Sequence, residues 1–305
     1  MGGGLPIEQN FMGLDVGRSD PETSGIIVVP APFEATSSYG TGSRRGPAAI
    51  LEASHQVEFY DCALRFEPVQ ACGGIATVDP VPFDDLLQQG GADAGAAFAD
   101  RLEEVVGRWL DRGKFVVTLG GEHSAVIGTV RAHAKRFQDL TVVQLDAHSD
   151  LRDEYLDNPW SHASALRRIL DFHDHALLVG IRSEESQEKE TAREFGVKTF
   201  YAHTIERQAE SAADWISGVV AEARERVYVT LDADVFDPSL VPGTGTPEPG
   251  GLTWHQVDRL LERLCAEREV VGFDVSELAP IEGVRVSEYT LAKLVYRFIG
   301  YRFQK

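Results

Sequence analysis

Four short polar clusters carry residue types that can do chemistry: Gly120-Gly121-Glu122-His123-Ser124, Asp146-Ala147-His148-Ser149-Asp150, Asp232-Ala233-Asp234-Val235-Phe236-Asp237-Pro238-Ser239 and Asp274-Val275-Ser276-Glu277-Leu278. They follow apolar runs that end at Leu119, Leu145, Leu231 and Phe273. Asp146, His148 and Asp150 are spaced by two, which in extended backbone turns their side chains to one side. Asp232 and Asp234 repeat that spacing, and His123 adds an imidazole. Four carboxylates brought together repel one another and take up protons unless a cation lies among them. Four carboxylates with two imidazoles are more than one catalytic metal with open positions can use. They suit two divalent ions about 3.5–4 Å apart with carboxylates bridging. Oxygen and imidazole donors without thiolate favour Mn2+, with Zn2+, Co2+ or Ni2+ as alternatives. Taken singly, an Asp-x-His or Asp-x-Asp is usually a turn, and Gly-Gly-Glu-His-Ser reads as a helix start with a capping side chain. The metal reading rests on their joint occurrence, each just beyond a strand.

The elements that must position these groups follow from the spacing of apolar residues. Strands are predicted at Ile26–Val29, Phe115–Leu119, Thr141–Leu145, Leu177–Ile181, Val227–Leu231 and Val270–Phe273, with weaker ones at Ile75–Val78 and Lys198–Tyr201. Helices are predicted at Pro47–Val57, Asp93–Asp111, Ala125–Phe137, Ala163–Phe172, Ser186–Phe195, Ala213–Glu225, Thr253–Glu267 and Ser287–Ile299. This alternation implies an α/β fold of three layers, α/β/α, around a mostly parallel sheet of about eight strands. The strands are apolar throughout, as strands buried on both faces are. Ligands in such sheets bind beyond the carboxyl ends of the strands, and all four clusters fall there. With no internal repeat or linker, residues 1–305 read as a single domain.

The chain has 29 Lys and Arg against 48 Asp and Glu, a net charge of −19. A nucleic-acid surface would be basic, whereas an acidic field suits a small cationic substrate or serves solubility alone. The three cysteines, Cys62, Cys72 and Cys265, form no CxxC pair, which fits a reducing cytoplasm rather than a disulfide framework. The first residues have neither a basic nor an apolar stretch of the secretory type. No apolar run is long enough for a membrane span.

The motif residues resemble the ureohydrolase family, which includes arginase and agmatinase. The family pattern GG(D/E)H, DAHxD, DxDxxDP and a Glu after the last strand reads here as Gly120–His123, Asp146–Asp150, Asp232–Pro238 and Glu277. The likeness runs from PAPFEATSSYGTGSRRGPAAI to the helix ending in FIGY, and PGTGTPEPGGLT is similar to the agmatinase branch. The resemblance implies an arginase-like fold, a homo-oligomer (trimer or hexamer) and two Mn2+. His123 and Asp150 would bind one ion, His148 and Asp234 the other, with Asp146 and Asp232 bridging. Glu122 stands where many relatives carry Asp and is not a ligand. His162 in Trp-Ser-His-Ala-Ser matches the catalytic histidine.

A guanidinium carbon is a poor electrophile because its charge is spread over three nitrogens. Two metals lower the pKa of a shared water, so that hydroxide is available at neutral pH, and Asp150 would hold that hydroxide while also ligating. Glu277 would accept paired hydrogen bonds from the planar guanidinium, and His162 would protonate the departing amine. Arginine carries a carboxylate that agmatine lacks. The segment Leu151–Ser161 presents Asp153, Glu154 and Asp157, which would repel a carboxylate and favour a free ammonium. Agmatine is therefore the expected substrate, giving putrescine and urea. Guanidinobutyrate becomes the alternative should Arg152 point inward, and arginine ranks lower. Glu184 and Glu185 are candidates for further carboxylates near the cleft, and Trp160 for shaping it or simply packing. The remaining histidines, His55, His133, His173, His175, His203 and His255, have no motif support and read as surface or packed. Two rival classes are a two-metal phosphatase, which would need more cationic groups than these loops offer, and an inactive relative that binds a polyamine or another partner.

Overall fold

Strict alternation along the strands assigns the two faces of a sheet. In β1 (Ile26–Ala31), Ile26 and Val28 belong to one buried cluster while Ile27, Val29 and Ala31 belong to another, the period of two that a pleated strand imposes. The structure, a computed structural model, describes residues 4–88, 91–209 and 214–304. The other strands are β2 (Ile75–Thr77), β3 (Phe115–Gly120), β4 (Leu140–Leu145), β5 (Ala176–Ile181), β6 (Lys198–Tyr201), β7 (Arg226–Asp232) and β8 (Glu269–Ser276). They form one parallel sheet in the order β2-β1-β3-β8-β7-β4-β5-β6. Every predicted strand is present, and the expected three-layer α/β/α architecture is observed.

Helices cover both faces. Ile26 and Val28 share a core with Ile50 and Leu51 of helix Gly46–Ser54, Leu260 and Leu264 of helix Trp254–Glu267, and Leu291 and Val295 of helix Val286–Phe303. On the other face, Ile27 and Val29 pack with Phe98, Leu102 and Val106 of helix Gly91–Asp111. Val130 of helix Val126–Arg136 packs there with Val142 and Leu178. The sequence missed four-residue helices at Val16–Ser19, Pro68–Ala71 and Asp84–Leu87, and the eight-residue Ala202–Ala209. Elements that short show too few turns for a period to emerge. The expected helices at Ala163–Phe172 and Ala213–Glu225 shorten most, to Ala165–Ile169 and Trp215–Glu222, and Ala213 of the latter expectation lies outside the described residues.

The strand order decides where chemistry can occur. The four polar clusters leave β3, β8, β7 and β4, which are the four central neighbours of the sheet. In open α/β sheets, the crevice opens where neighbouring strands send their connections to opposite sides.

A buried ion cluster ties the early loops to the C-terminal helix. Asp61 is fully buried and faces Lys293 Nζ at 2.7 Å and Arg297 Nε at 3.0 Å. Burial pushes its carboxyl up, but the two cations outweigh that and hold it at about 2. Its contribution is present above the ordinary value of 3.8 and fades as pH falls toward about 2. Asp61→Asn leaves Lys293 without its carboxylate and Arg297 with Asp258 alone, and is expected to lower unfolding free energy by about 3 kcal/mol. Denaturant titration at pH 7 checks this.

Candidate metal centre and catalytic cleft

Asp146 begins the cluster where β4 ends. Its Oδ1 accepts the His148 backbone N–H at 2.6 Å and its Oδ2 accepts Gln144 Nε2–H at 2.8 Å. The first bond curls residues 146–148 into an Asx-type turn. Asp150 then adopts φ +53°. The loop is therefore turned, not extended as the spacing suggested. Asp232 and Asp234 likewise flank a turn: Asp232 Oδ1 caps the 3-10 helix Ala233–Val235 by accepting Asp234 N–H at 2.8 Å. Turns, not strand pleat, make these groups converge.

They converge on two imidazole nitrogens. His123 Nδ1 lies 2.8 Å from Asp150 Oδ2, 3.0 Å from Asp146 Oδ2 and 3.6 Å from Asp232 Oδ2. His148 Nδ1 lies 3.0 Å from Asp234 Oδ2 and 3.7 Å from Asp146 Oδ1. Two groups have donor atoms within 4.8 Å of one another, His123–Asp146–Asp232 and Asp146–His148–Asp234, and they share Asp146. Asp150 is outside both groups but reaches His123.

The other nitrogen of His123 fixes its tautomer. Asp274, at the buried core of β8, accepts Tyr228 O–H at 2.8 Å and Thr230 O–H at 3.0 Å. With its proton committed there, Thr230 can only accept from His123 Nε2, at 2.9 Å. Nε2 thus carries hydrogen, and the Nδ1 lone pair faces three carboxylates. One proton on Nδ1 can serve only one of them well, whereas a divalent cation serves all. The donor set therefore fits metal ions, with the outer hydrogen-bond partner that metal-binding histidines characteristically have.

The protonation balance agrees. Burial, then the Asp234 and Asp150 charges, push Asp146 up to about 7. Burial, then Asp234 and Asp146, drive Asp232 well above the usual carboxylate range. Burial acts the same way on Asp234, but the His148 hydrogen bond outweighs it and lowers that carboxyl. Burial alone would depress His148, yet the Asp234 contact raises it to about 10. A cluster that gathers protons in this manner exchanges them for metal charge.

The remaining predicted residues line the same cavity, of about 300 Å³, which also contains Ser37, Tyr39, Arg152, Tyr155, Glu184 and Glu185. Glu277 has φ +60°, donates its N–H to Gly121 O at 2.7 Å and accepts His123 N–H on Oε1 at 2.7 Å. Burial, then the Glu122 charge, push its carboxyl well above the ordinary value. A left-handed backbone at a non-glycine residue costs about 1–3 kcal/mol and persists where the surroundings over-determine it. Of the six non-glycine residues with positive φ among the described residues, Asp150 and Glu277 line the cavity. His162 opens the turn His162–Ser164, faces the Tyr155 ring edge-on at 5.8 Å and sits 3.0 Å from Thr36 Oγ1 through Nδ1.

The rim differs from the sequence expectation. Asp153, Glu154 and Asp157 are exposed and outside the cavity lining, and Asp153 pairs with Arg167 and Arg168. The acidic lining comes from the β5 exit, from Glu184 and Glu185, the two further carboxylates that the sequence offered near the cleft. Glu184 Oε1 accepts Tyr201 O–H at 2.8 Å, and its Oε2 is buried with no hydrogen-bond partner among the described residues. Glu185 pairs with Arg152 at 3.0 Å. Arg152 also approaches Glu188 at 3.7 Å and stacks 4.8 Å over Tyr155, so its guanidinium is already matched. Trp160 packs with Ala99, Ile127 and Ala165, not in the cavity lining.

Several supporting residues escaped the sequence reading. Buried Glu188 accepts Ser149 O–H at 2.8 Å and Leu151 N–H at 3.1 Å, anchoring the Asp146–Asp150 loop. Arg182 donates to the carbonyls of Asp234 and Glu248, at 2.6 and 2.8 Å, stitching two loops together. Glu188 lies within a charged helical run that gives no such signal. Arg182 follows a strand's carboxyl end, the one cue available.

The Arginase family profile matches residues 24–300. An N(1)-aminopropylagmatine ureohydrolase of Synechocystis sp. is 39% identical over 280 residues, covering 91% of this chain and 89% of that protein. An agmatinase of Bacillus anthracis is 36% identical, covering 91% of this chain and 92% of its own. The crystal structure of an agmatine ureohydrolase of Thermoplasma volcanium matches with a TM-score of 0.80 at 31% identity, over 94% of this chain and 92% of that one.

Proposed function

The chain belongs to the arginase family, and from that premise we propose that it hydrolyses the guanidino group of a small amine with a free ammonium tail, agmatine or its N1-aminopropyl derivative, to urea and the corresponding polyamine. The observation that carries this reading is the convergence of His123, Asp146, Asp150 and Asp232 on one point, and of His148 and Asp234 on a second, in a cavity that also contains Glu277 and His162.

In this reading His123 and Asp150 would hold one ion and His148 and Asp234 the other, with Asp146 and Asp232 available to both. The oxygen-rich donors favour Mn2+. The bound ions would supply a water acidic enough to act as nucleophile at neutral pH. The Glu277 carboxylate takes the guanidinium in paired hydrogen bonds and holds its carbon over the cluster. Asp150 orients the attacking oxygen by hydrogen bonding. As the carbon–nitrogen bond to the tail breaks, His162 gives a proton to that nitrogen, which leaves as an amine. Oxygen ends on urea and the proton on the polyamine. The same reading makes residues 1–305 one domain, a cytoplasmic protein and a homo-oligomer. Among the described residues, no helix is long and apolar enough to cross a membrane.

Two features support an ammonium tail over a carboxylate. Arg152 is already paired with Glu185 and Glu188, and Glu184 has a carboxylate oxygen without a partner among the described residues. The test is urea release measured side by side from agmatine, N1-aminopropylagmatine, guanidinobutyrate and arginine. The amines should lead. Preference for either acid overturns the reading, and the better amine sets the tail length. Glu184→Gln is expected to raise KM for the amines about fivefold with kcat little changed, the signature of an interaction equal in ground and transition states.

A further inference from the structure

Glu122 is fully buried beside the cluster and is not one of its ligands. Its Oε2 accepts two backbone N–H groups, from Ala35 at 2.8 Å and Thr36 at 2.6 Å. Its Oε1 accepts two hydroxyls, Thr36 at 2.9 Å and Ser124 at 2.5 Å. An ionised carboxylate has about four lone-pair sites, and all are met. Three of these four bonds go to residues 35 and 36, in the loop leaving β1. That close approach depends on Gly121. A Cβ there would sit 2.2 Å from Phe33 O, so only glycine lets the β3 exit run against the β1 exit.

Thr36 stands between Glu122 and His162. Its oxygen is 3.0 Å from both the His162 backbone N and the ring Nδ1. The hydroxyl has one proton. Donating it to His162 would leave two oxygen lone pairs facing each other at the Glu122 contact. Donating it to Glu122 lets Thr36 accept both His162 N–H groups and satisfies every atom in the chain.

We propose that Glu122, acting through the Thr36 hydroxyl, is the positioning residue that holds His162 in its Nδ1–H form, so that Nε2 is the nitrogen that exchanges protons with substrate. This rests on His162 being the proton donor of the reaction proposed above. The relay resembles the carboxylate that sets the tautomer of a catalytic imidazole in other hydrolases, with a hydroxyl interposed. Tyr155, edge-on at 86°, limits the ring's tilt from the other side.

Ring-¹⁵N-labelled enzyme loaded with diamagnetic Zn2+ gives the direct reading, with the His162 signals assigned by their loss in His162→Asn. The wild type should show a protonated Nδ1 and a bare Nε2. Thr36→Val, close in shape but without the hydroxyl, should move the two signals toward each other and lower kcat about tenfold with KM within about threefold. Thr36→Ser should restore both readouts. Glu122→Gln, with folding verified by thermal melting and metal content, should behave like Thr36→Val. A wild-type His162 protonated on Nε2 overturns the relay, and so does a tautomer unchanged in Thr36→Val. Retained urea release in His162→Asn defeats the proton-donor reading instead, whatever the tautomer proves to be.

Discussion

If the proposed reaction holds, Asp146→Asn is expected to cut kcat for urea release by about a thousandfold or more, because several kcal/mol of transition-state stabilisation would come from the two-ion cluster. Asp146 is the residue shared by the two ligand groups. Both of its oxygens are also in use, one toward His148 N–H and one toward Gln144 Nε2–H. An amide must turn its NH2 toward one of those donors, so the substitution damages both the charge and the geometry of the site. The expected metal content falls below two ions per chain. The same change removes one buried negative charge from a cluster that repels itself. Metal-free Asp146→Asn should therefore melt no lower than metal-free wild type at pH 8, an exchange of activity for stability common at functional sites. Differential scanning calorimetry on chelator-treated protein checks the second half of this expectation and stopped-time urea assays the first.

Glu277→Gln is the second large effect, and it should look different. The amide oxygen can still accept the His123 backbone N–H that Glu277 Oε1 accepts at 2.7 Å, so the local frame survives. What would be lost, in the role proposed for Glu277, is the negative charge opposite a desolvated guanidinium. Breaking such a pair costs about 2–5 kcal/mol, or roughly 30- to 5,000-fold in kcat/KM. Metal content should stay at the wild-type level. Inhibition by a simple diamine, which has an ammonium but no guanidinium, should change little. Loss of metal in this variant would mean that Glu277 supports the cluster instead of the substrate.

The distinction matters because the site is built from two kinds of residue that the sequence revealed unequally. The ligand candidates were legible because they concentrate at strand ends and repeat Asp-x-His and Asp-x-Asp in a place where packing has no use for them. The strands were legible because Val, Ile and Leu runs buried on both faces leave little ambiguity. The conformations were not. Asp146–Asp150 read as extended, but an Asx-type turn and a left-handed Asp150 do the gathering. Spacing along a chain does not encode a positive φ at a non-glycine residue.

Long-range partners were invisible for a related reason. Thr36 is 126 residues from His162, and Asp274 is 44 from Thr230, so neither pairing leaves a local signature. The rim illustrates the same limit. Composition put the acidic groups facing the substrate tail at Asp153, Glu154 and Asp157, one loop away, and offered Glu184 and Glu185 only as further carboxylates near the cleft. The fold turns those side chains to solvent or to Arg167 and Arg168, and presents Glu184 and Glu185 from the neighbouring strand instead. The conclusion about substrate charge survives on different residues, since Arg152 is neutralised by the carboxylates it meets.

Everything catalytic here depends on the six clustered side chains being a two-ion site. Equilibrium dialysis of the full-length wild type against Mn2+, with bound metal counted by atomic emission and urea release followed on the same samples, addresses that directly. About two ions per chain are expected, with activity rising as the sites fill. Full activity in thoroughly chelated protein, or saturation at one ion per chain, would contradict it.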